Sequence, residues 1–131
     1  MTLLVIDASA AIEFFLKRDA LQRLSTAYPE ADFIAPSHMP LECLSVLKRL
    51  ERAEAIDSAT ASFLANDVME FNVELISVGD IANHVWSHRH TFSIYDSAYV
   101  AVSNIFEASL LSRDTRLMAA WPNSIDLDSL P

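Results

Sequence analysis

A chain of 131 residues, 52% of them hydrophobic and one of them cysteine, is sized for one domain with a sizeable core, and it excludes a disulfide framework and a disordered chain. No apolar run approaches the roughly 20 residues of a membrane span and the N-terminus lacks a signal-peptide pattern, so a single cytoplasmic domain over residues 1–131 is expected. The net charge of −9 argues against a broad basic surface for nucleic acid, whereas a local gathering of some of the 18 acids would suit a divalent cation.

Residues 2–6 are short, apolar and branched, and predict a buried strand ending at Asp7. Ala8 to Lys17 predicts a helix. Asp19, with Gln22 three residues on, is placed to cap a second helix through Tyr28, which Pro29 ends. Asp32–Ala35 predicts a strand closed by Pro36. Residues 40–54 predict a helix with Cys43, Val46, Leu47 and Leu50 on its apolar side. A helix from about Ser58 to Phe71 and a strand over Val73–Val78 follow. Gly79–Asp80 opens a helix carrying Ile81, Val85 and Trp86. Residues 94–106 carry Tyr95, Ala98, Tyr99, Val102 and Ile105 at helical spacing. Ser109–Ser112 predicts a strand, Asp114 opens a helix to about Trp121, and Ile125–Leu127 a last strand. This alternation predicts an α/β fold, a parallel sheet with helices on both faces, whose ligands bind beyond the carboxyl ends of the strands.

Four acids stand in unusual places. Asp7 ends the first strand, Glu42 lies at the edge of an apolar helical arc, Asp96 sits in a first helical turn, and Asp114 joins a strand to a helix. Each has a structural reading. Asp7 and Asp114 can cap helices, Glu42 can favour a helix dipole, and Ser93-x-x-Asp96 has the spacing of a capping box. As a set they point elsewhere. Carboxylates converging on the strand-end crevice would repel one another unless a cation sat between them, and Mg²⁺ or Mn²⁺ suits oxygen ligands. Such an ion would also let an acidic site hold an anionic substrate.

The segments "VIDASA", "PLECLSVL", "SIYDSAYVA" and "LLSRDTRL" together resemble PIN-domain nucleases, and most closely the VapC-type toxins of toxin–antitoxin pairs, from Leu4 to about Leu127. The resemblance implies a PIN-like fold with a five-stranded parallel sheet flanked by helices on both faces. It implies an endoribonuclease that hydrolyses RNA phosphodiester bonds, an antitoxin encoded alongside and a homodimer. It implies that Asp7, Glu42, Asp96 and Asp114 surround Mg²⁺ or Mn²⁺. Asp7, Asp96 and Asp114 would hold the principal ion, with Glu42 completing the site or positioning water. Ser9 matches a small hydroxyl residue after the first acid, placed to contact metal-bound water or phosphate, and Ser112, standing where the family commonly has Thr, is with it a candidate substrate contact.

Arg113 and Arg116 flank Asp114 and are candidate substrate contacts, with simple ion pairing as the alternative. Lys48, Arg49 and Arg52 read as a solvated helix face, the alternative being that Arg49 reaches a phosphate near the metal, and His84, His88 and His90 read as surface residues rather than a metal pair of His84 and His88. Tyr95 and Tyr99 read as core rather than base-stacking residues, Trp86 and Trp121 as core or interface. Phe14, Phe15 and Leu16 suggest an apolar surface for a dimer or antitoxin. An aspartate-nucleophile phosphatase would want an acid where Ser9 stands, and a receiver domain would want a late lysine, whereas none follows Lys48. The non-enzyme alternative is a catalytically silent PIN-like binding module.

Overall fold

In the computed structural model, which describes residues 2–131, the chain alternates strands and helices. Strand β1 (Thr2–Ile6) leads into helices α1 (Ala8–Leu16) and α2 (Arg18–Ala27), then β2 (Ala31–Pro36). Helices α3 (Met39–Arg52) and α4 (Ser58–Glu70) lead to β3 (Glu74–Ile76), and α5 (Val78–Ser87) and α6 (Ile94–Phe106) to β4 (Ser109–Ser112). Helix α7 (Thr115–Ala120), β5 (Ser124–Asp126) and a 3₁₀ turn (Leu127–Ser129) complete the described chain.

The five strands are all parallel, in the order β3-β2-β1-β4-β5. Successive residues of the central strands are buried whichever way they point: Leu4, Val5 and Ile6 in β1, Leu110, Leu111 and Ser112 in β4. A strand buried on both sides needs helices on both faces, which explains why these segments read as unbroken apolar runs. The chain builds outward from β1 through β2 to β3, then crosses back to β4 and β5. The carboxyl ends of β1 and β4 are therefore the point where the strand order reverses, and a crevice opens there.

Three local expectations are revised. Asp19 lies inside the first turn of α2 and pairs with Arg23 at 3.4 Å, while the capping position falls to Lys17, which makes no side-chain cap. The last strand ends at Asp126, whose carboxylate accepts the Asp128 N–H at 3.0 Å and so turns the chain into the 3₁₀ turn. Phe14 and Phe15 do not form an open apolar patch. They join Phe33 and Phe71 in an aromatic cluster with ring centroids 5.5–6.1 Å apart, and only Leu16 of that trio is exposed.

Candidate active site

Asp7 is buried at the mouth of the crevice. It caps α1 through Oδ1, which accepts the Ala10 N–H at 2.9 Å and the Ser9 hydroxyl at 2.7 Å. The Ser112 hydroxyl donates to Oδ2. Ser9 Oγ also accepts the Arg113 N–H at 3.0 Å, and Ser112 Oγ the Asp114 N–H at 2.9 Å. The two serines thus stitch the β1–α1 junction to the β4–α7 junction, more than 100 residues away in the chain. Burial outweighs these hydrogen bonds, and Asp114 adds repulsion, so the Asp7 carboxyl is pushed up to about 6.

Asp114 caps α7, its Oδ1 accepting the Arg116 and Leu117 N–H groups at 3.0 and 3.1 Å. Asp96 lies half-buried in the first turn of α6. Ser93 caps α6 by accepting the Asp96 N–H at 3.1 Å, but the Asp96 carboxylate returns no bond to the Ser93 N–H among the described residues. Only half of the predicted capping box forms, and the carboxylate instead lines a cleft of about 250 Å³ with Asp114 and Arg116. Burial, then the charges of Asp114 and Glu42, hold the Asp96 carboxyl above its ordinary range, against the pull of Ser93 and Arg116.

Glu42 is half-exposed on the first turn of α3. Its Oε1 accepts the Tyr99 hydroxyl at 2.7 Å and stands 2.9 Å from His38 Nε2. Burial alone would raise it. The His38 contact and the Tyr99 hydrogen bond win, and the carboxyl lies below its ordinary range. His38 and Tyr99 were not among the candidate residues, although the i, i+4 spacing of His38 and Glu42 signals their contact. Tyr99 is core as expected, with its hydroxyl aimed at Glu42. Tyr95 is not core: it is 65% exposed, its ring 5.7 Å from that of His38. Trp86 is also exposed, with Arg89 stacked 4.5 Å over its ring.

The four acids come from four separate segments and act on one another across the crevice: Asp114 on Asp7 and Asp96, Glu42 on Asp96. Their hard oxygen donors and mutual repulsion fit a divalent cation. Among the described residues, however, no three His, Cys, Asp or Glu side chains already form a ligand cage. Asp7 is engaged by two hydroxyls and Glu42 by His38 and Tyr99, which orient both carboxylates.

The flanking arginines divide. Arg113 pairs with Glu13 at 2.9 Å and with Asp128 at 2.8 Å, tying the β4–α7 junction to α1 and the 3₁₀ turn, so ion pairing accounts for it. Arg116 makes no ion pair among the described residues and lines the cleft beside Asp96 and Asp114. Glu13 is buried and also holds Lys17 at 3.2 Å. Arg113→Ala should therefore lower stability by ~2 kcal/mol in urea unfolding, because it leaves Glu13 short of a charged donor. An unchanged midpoint would show that Lys17 alone suffices.

The five-stranded parallel sheet with carboxylates at its reversal point defines an α/β domain, and comparison with known proteins gives it a PIN-like fold. No family model matches the chain. The fold matches PAE2754 from Pyrobaculum aerophilum with a TM-score of 0.72 at 21% identity, over 98% of this chain and 92% of that one. It matches VapC20 of Mycobacterium tuberculosis, described as a sarcin–ricin-loop-cleaving toxin, with a TM-score of 0.64 at 17% identity, over 90% and 95%. In sequence the chain is 28% identical to ribonuclease VapC3 of Mycobacterium tuberculosis over 121 residues, 92% of this chain and 88% of the relative. The resemblance to VapC-type PIN-domain nucleases thus extends over nearly the whole chain.

Proposed function

We propose that this protein is a Mg²⁺- or Mn²⁺-dependent endoribonuclease and the toxin of a type II toxin–antitoxin pair. The observation that supports the reading is that Asp96 and Asp114 line one cleft and that Asp114 raises both Asp7 and Asp96 by its charge, with Glu42 acting on Asp96 in the same way. The ribonuclease names of the curated relatives supply the substrate class. Asp7, Asp96 and Asp114 would hold the principal ion, with Glu42 joining directly or through water. When bound, such an ion supplies positive charge against a phosphodiester transition state and acidifies water. Ser9 and Ser112 hold Asp7 in place at the junction of β1 and β4. Arg116 is free to take a phosphate oxygen on the α7 side. Glu42, kept ionised by His38 and Tyr99, can accept a proton from or orient the attacking water.

The test is RNA incubated with the protein in Mg²⁺, in Mn²⁺ and in chelator. Cleavage in either metal and none in chelator is expected, and cleavage indifferent to chelator would overturn the metal requirement. One observation favours the silent binding module instead: Asp7 is already satisfied by two hydroxyls and a backbone N–H. Absence of cleavage under every metal condition would select that module.

Tyr99→Phe removes only the hydroxyl that fixes Glu42. It should lower the cleavage rate ~10-fold at unchanged melting temperature, the usual penalty for removing a group that orients a site carboxylate. Full activity in this variant would mean that Glu42 needs no orientation from α6.

The antitoxin and the homodimer belong to the same proposal. A structural neighbour from Klebsiella pneumoniae, described as a toxin–antitoxin complex, matches with a TM-score of 0.63 at 15% identity, over 95% of this chain and 97% of that one. Co-purification with the product of an adjacent short reading frame would test the antitoxin, and the mass in solution the dimer. For a cytoplasmic location, the support is that no described helix is long and apolar enough to cross a membrane.

A further inference from the structure

We infer that the outer face of α3 is a track for the backbone of single-stranded RNA, leading into the acidic crevice; this rests on the ribonuclease reading and adds where the strand lies. Glu42, Ser45, Arg49 and Arg52 recur at intervals of three and four residues, so they share one helical face, with Lys48 beside them. At a rise of 1.5 Å per residue the row is about 15 Å long. Ser45, Lys48, Arg49 and Arg52 line a hollow of about 310 Å³. Ser45 also lines the next hollow, about 400 Å³, with His38, Leu41, Glu42 and Tyr95. The two hollows share Ser45, and the second is lined by Glu42.

The charge on this face sets it apart. The chain has net charge −9 and only nine Lys and Arg, yet three of the nine stand together here. All three are exposed, and none joins an ion pair among the described residues, whereas Lys17, Arg23 and Arg113 are all paired with acids. The acids that follow on the chain, Glu51 and Glu54, line a different hollow. Gathering like charges without counter-charges is unfavourable unless an anion relieves it. Arg116 adds a further cation in the cleft of Asp96 and Asp114. Tyr95, exposed and braced on His38, offers a flat ring in the second hollow, where a base can stack. Adjoining hollows with clustered cations and an exposed aromatic platform suit a nucleic-acid strand better than an acidic peptide.

The test is binding of a fluorescein-labelled single-stranded RNA of mixed sequence to Asp96→Asn protein, which keeps the RNA intact, across a salt series. Adding Lys48→Ala, Arg49→Ala and Arg52→Ala should weaken binding ~10-fold or more. It should also reduce the slope of log affinity against log salt by ~2, the value for three lost phosphate contacts on a single strand. Tyr95→Ala should weaken binding ~5-fold or more with no change in slope. Arg49→Ala and Arg52→Ala tested singly should each give part of the loss, which keeps the outcome readable should the triple variant fold poorly. RNA affinity and slope equal to the parent's would overturn the track. Loss of poly-glutamate binding with RNA binding intact would also overturn it and assign the face to an acidic protein. Cleavage of the same RNA by the unmodified protein is scored separately, so a failed track and a failed ribonuclease reading give different results.

Discussion

Asp96→Asn protein is expected to lose RNA cleavage by at least ~100-fold while keeping its fold. Removing a group that merely orients a site residue commonly costs ~10–100-fold, and Asp96 is placed at the site itself. The substitution is close to isosteric. The Ser93 cap survives it, because Ser93 accepts from the backbone N–H of Asp96 and not from its side chain. The carboxylate carries repulsion from both Asp114 and Glu42, so its replacement by a neutral amide relieves the folded state even as it removes an ion ligand. Loss of activity at equal or higher thermal stability is the expected pair of results, read by gel cleavage and by thermal denaturation. Full activity in this variant would exclude Asp96 from the site.

The second large effect is a stability that falls as pH rises in the absence of divalent ions. The Asp7 carboxyl titrates at about 6 in the folded chain, against 3.8 for a free aspartate, because burial penalises its charged form. A group raised on folding contributes stability that is fully present below pH ~4 and is lost as pH rises through ~6. The difference corresponds to ~3 kcal/mol. Asp96 is shifted in the same direction and adds to the trend. Glu42, Asp57 and Asp128 are shifted down and oppose it, but their effect falls below the ordinary carboxylate range, in more acid solution. Chelated protein should therefore be less stable to urea at pH 7.5 than at pH 5.5 by ~0.8 kcal/mol, the part of the ~3 kcal/mol that falls above pH 5.5. Mg²⁺ or Mn²⁺ selects the ionised carboxylates and should stabilise at pH 7.5 much more than at pH 5.5. Asp7→Asn should flatten both the pH trend and the metal response. A chelated parent whose stability rises between those two pH values would contradict the assignment of Asp7 as the buried, strained carboxylate.

Both effects arise at residues whose surroundings were only half legible in the chain. The expectation that Asp7 caps α1 was correct, and so was the expectation that it sits at a strand end. That these coexist follows from geometry: Oδ1 serves the helix, while Oδ2 faces Ser112. The capping-box spacing of Ser93 and Asp96 predicted a reciprocal pair of bonds and only one forms. The spacing is compatible with a box, but the carboxylate has a second direction open to it toward the crevice. Arg113 and Arg116 look equivalent beside Asp114. They differ because Glu13, 100 residues earlier, stands within 2.9 Å of Arg113 and not of Arg116. Tyr95 and Tyr99 share an apolar periodicity, yet four residues of helix carry them from the protein's edge to its core.

By itself the sequence determined the order of strands and helices, the both-sided burial of the sheet and the candidate quartet. Those depend on residue type and on periods of two or 3.6 residues, which act locally. Only the tertiary structure decided what each candidate touches: Asp7 with Ser112, Glu13 with Arg113, Glu42 with Tyr99. It also decided that Lys48, Arg49 and Arg52 line a hollow on α3 without an acid partner among the described residues. These contacts join segments roughly 60 to 100 residues apart, and no local pattern encodes them. They follow from the sheet order β3-β2-β1-β4-β5, which sets β1 beside β4 and brings their two junctions to one crevice.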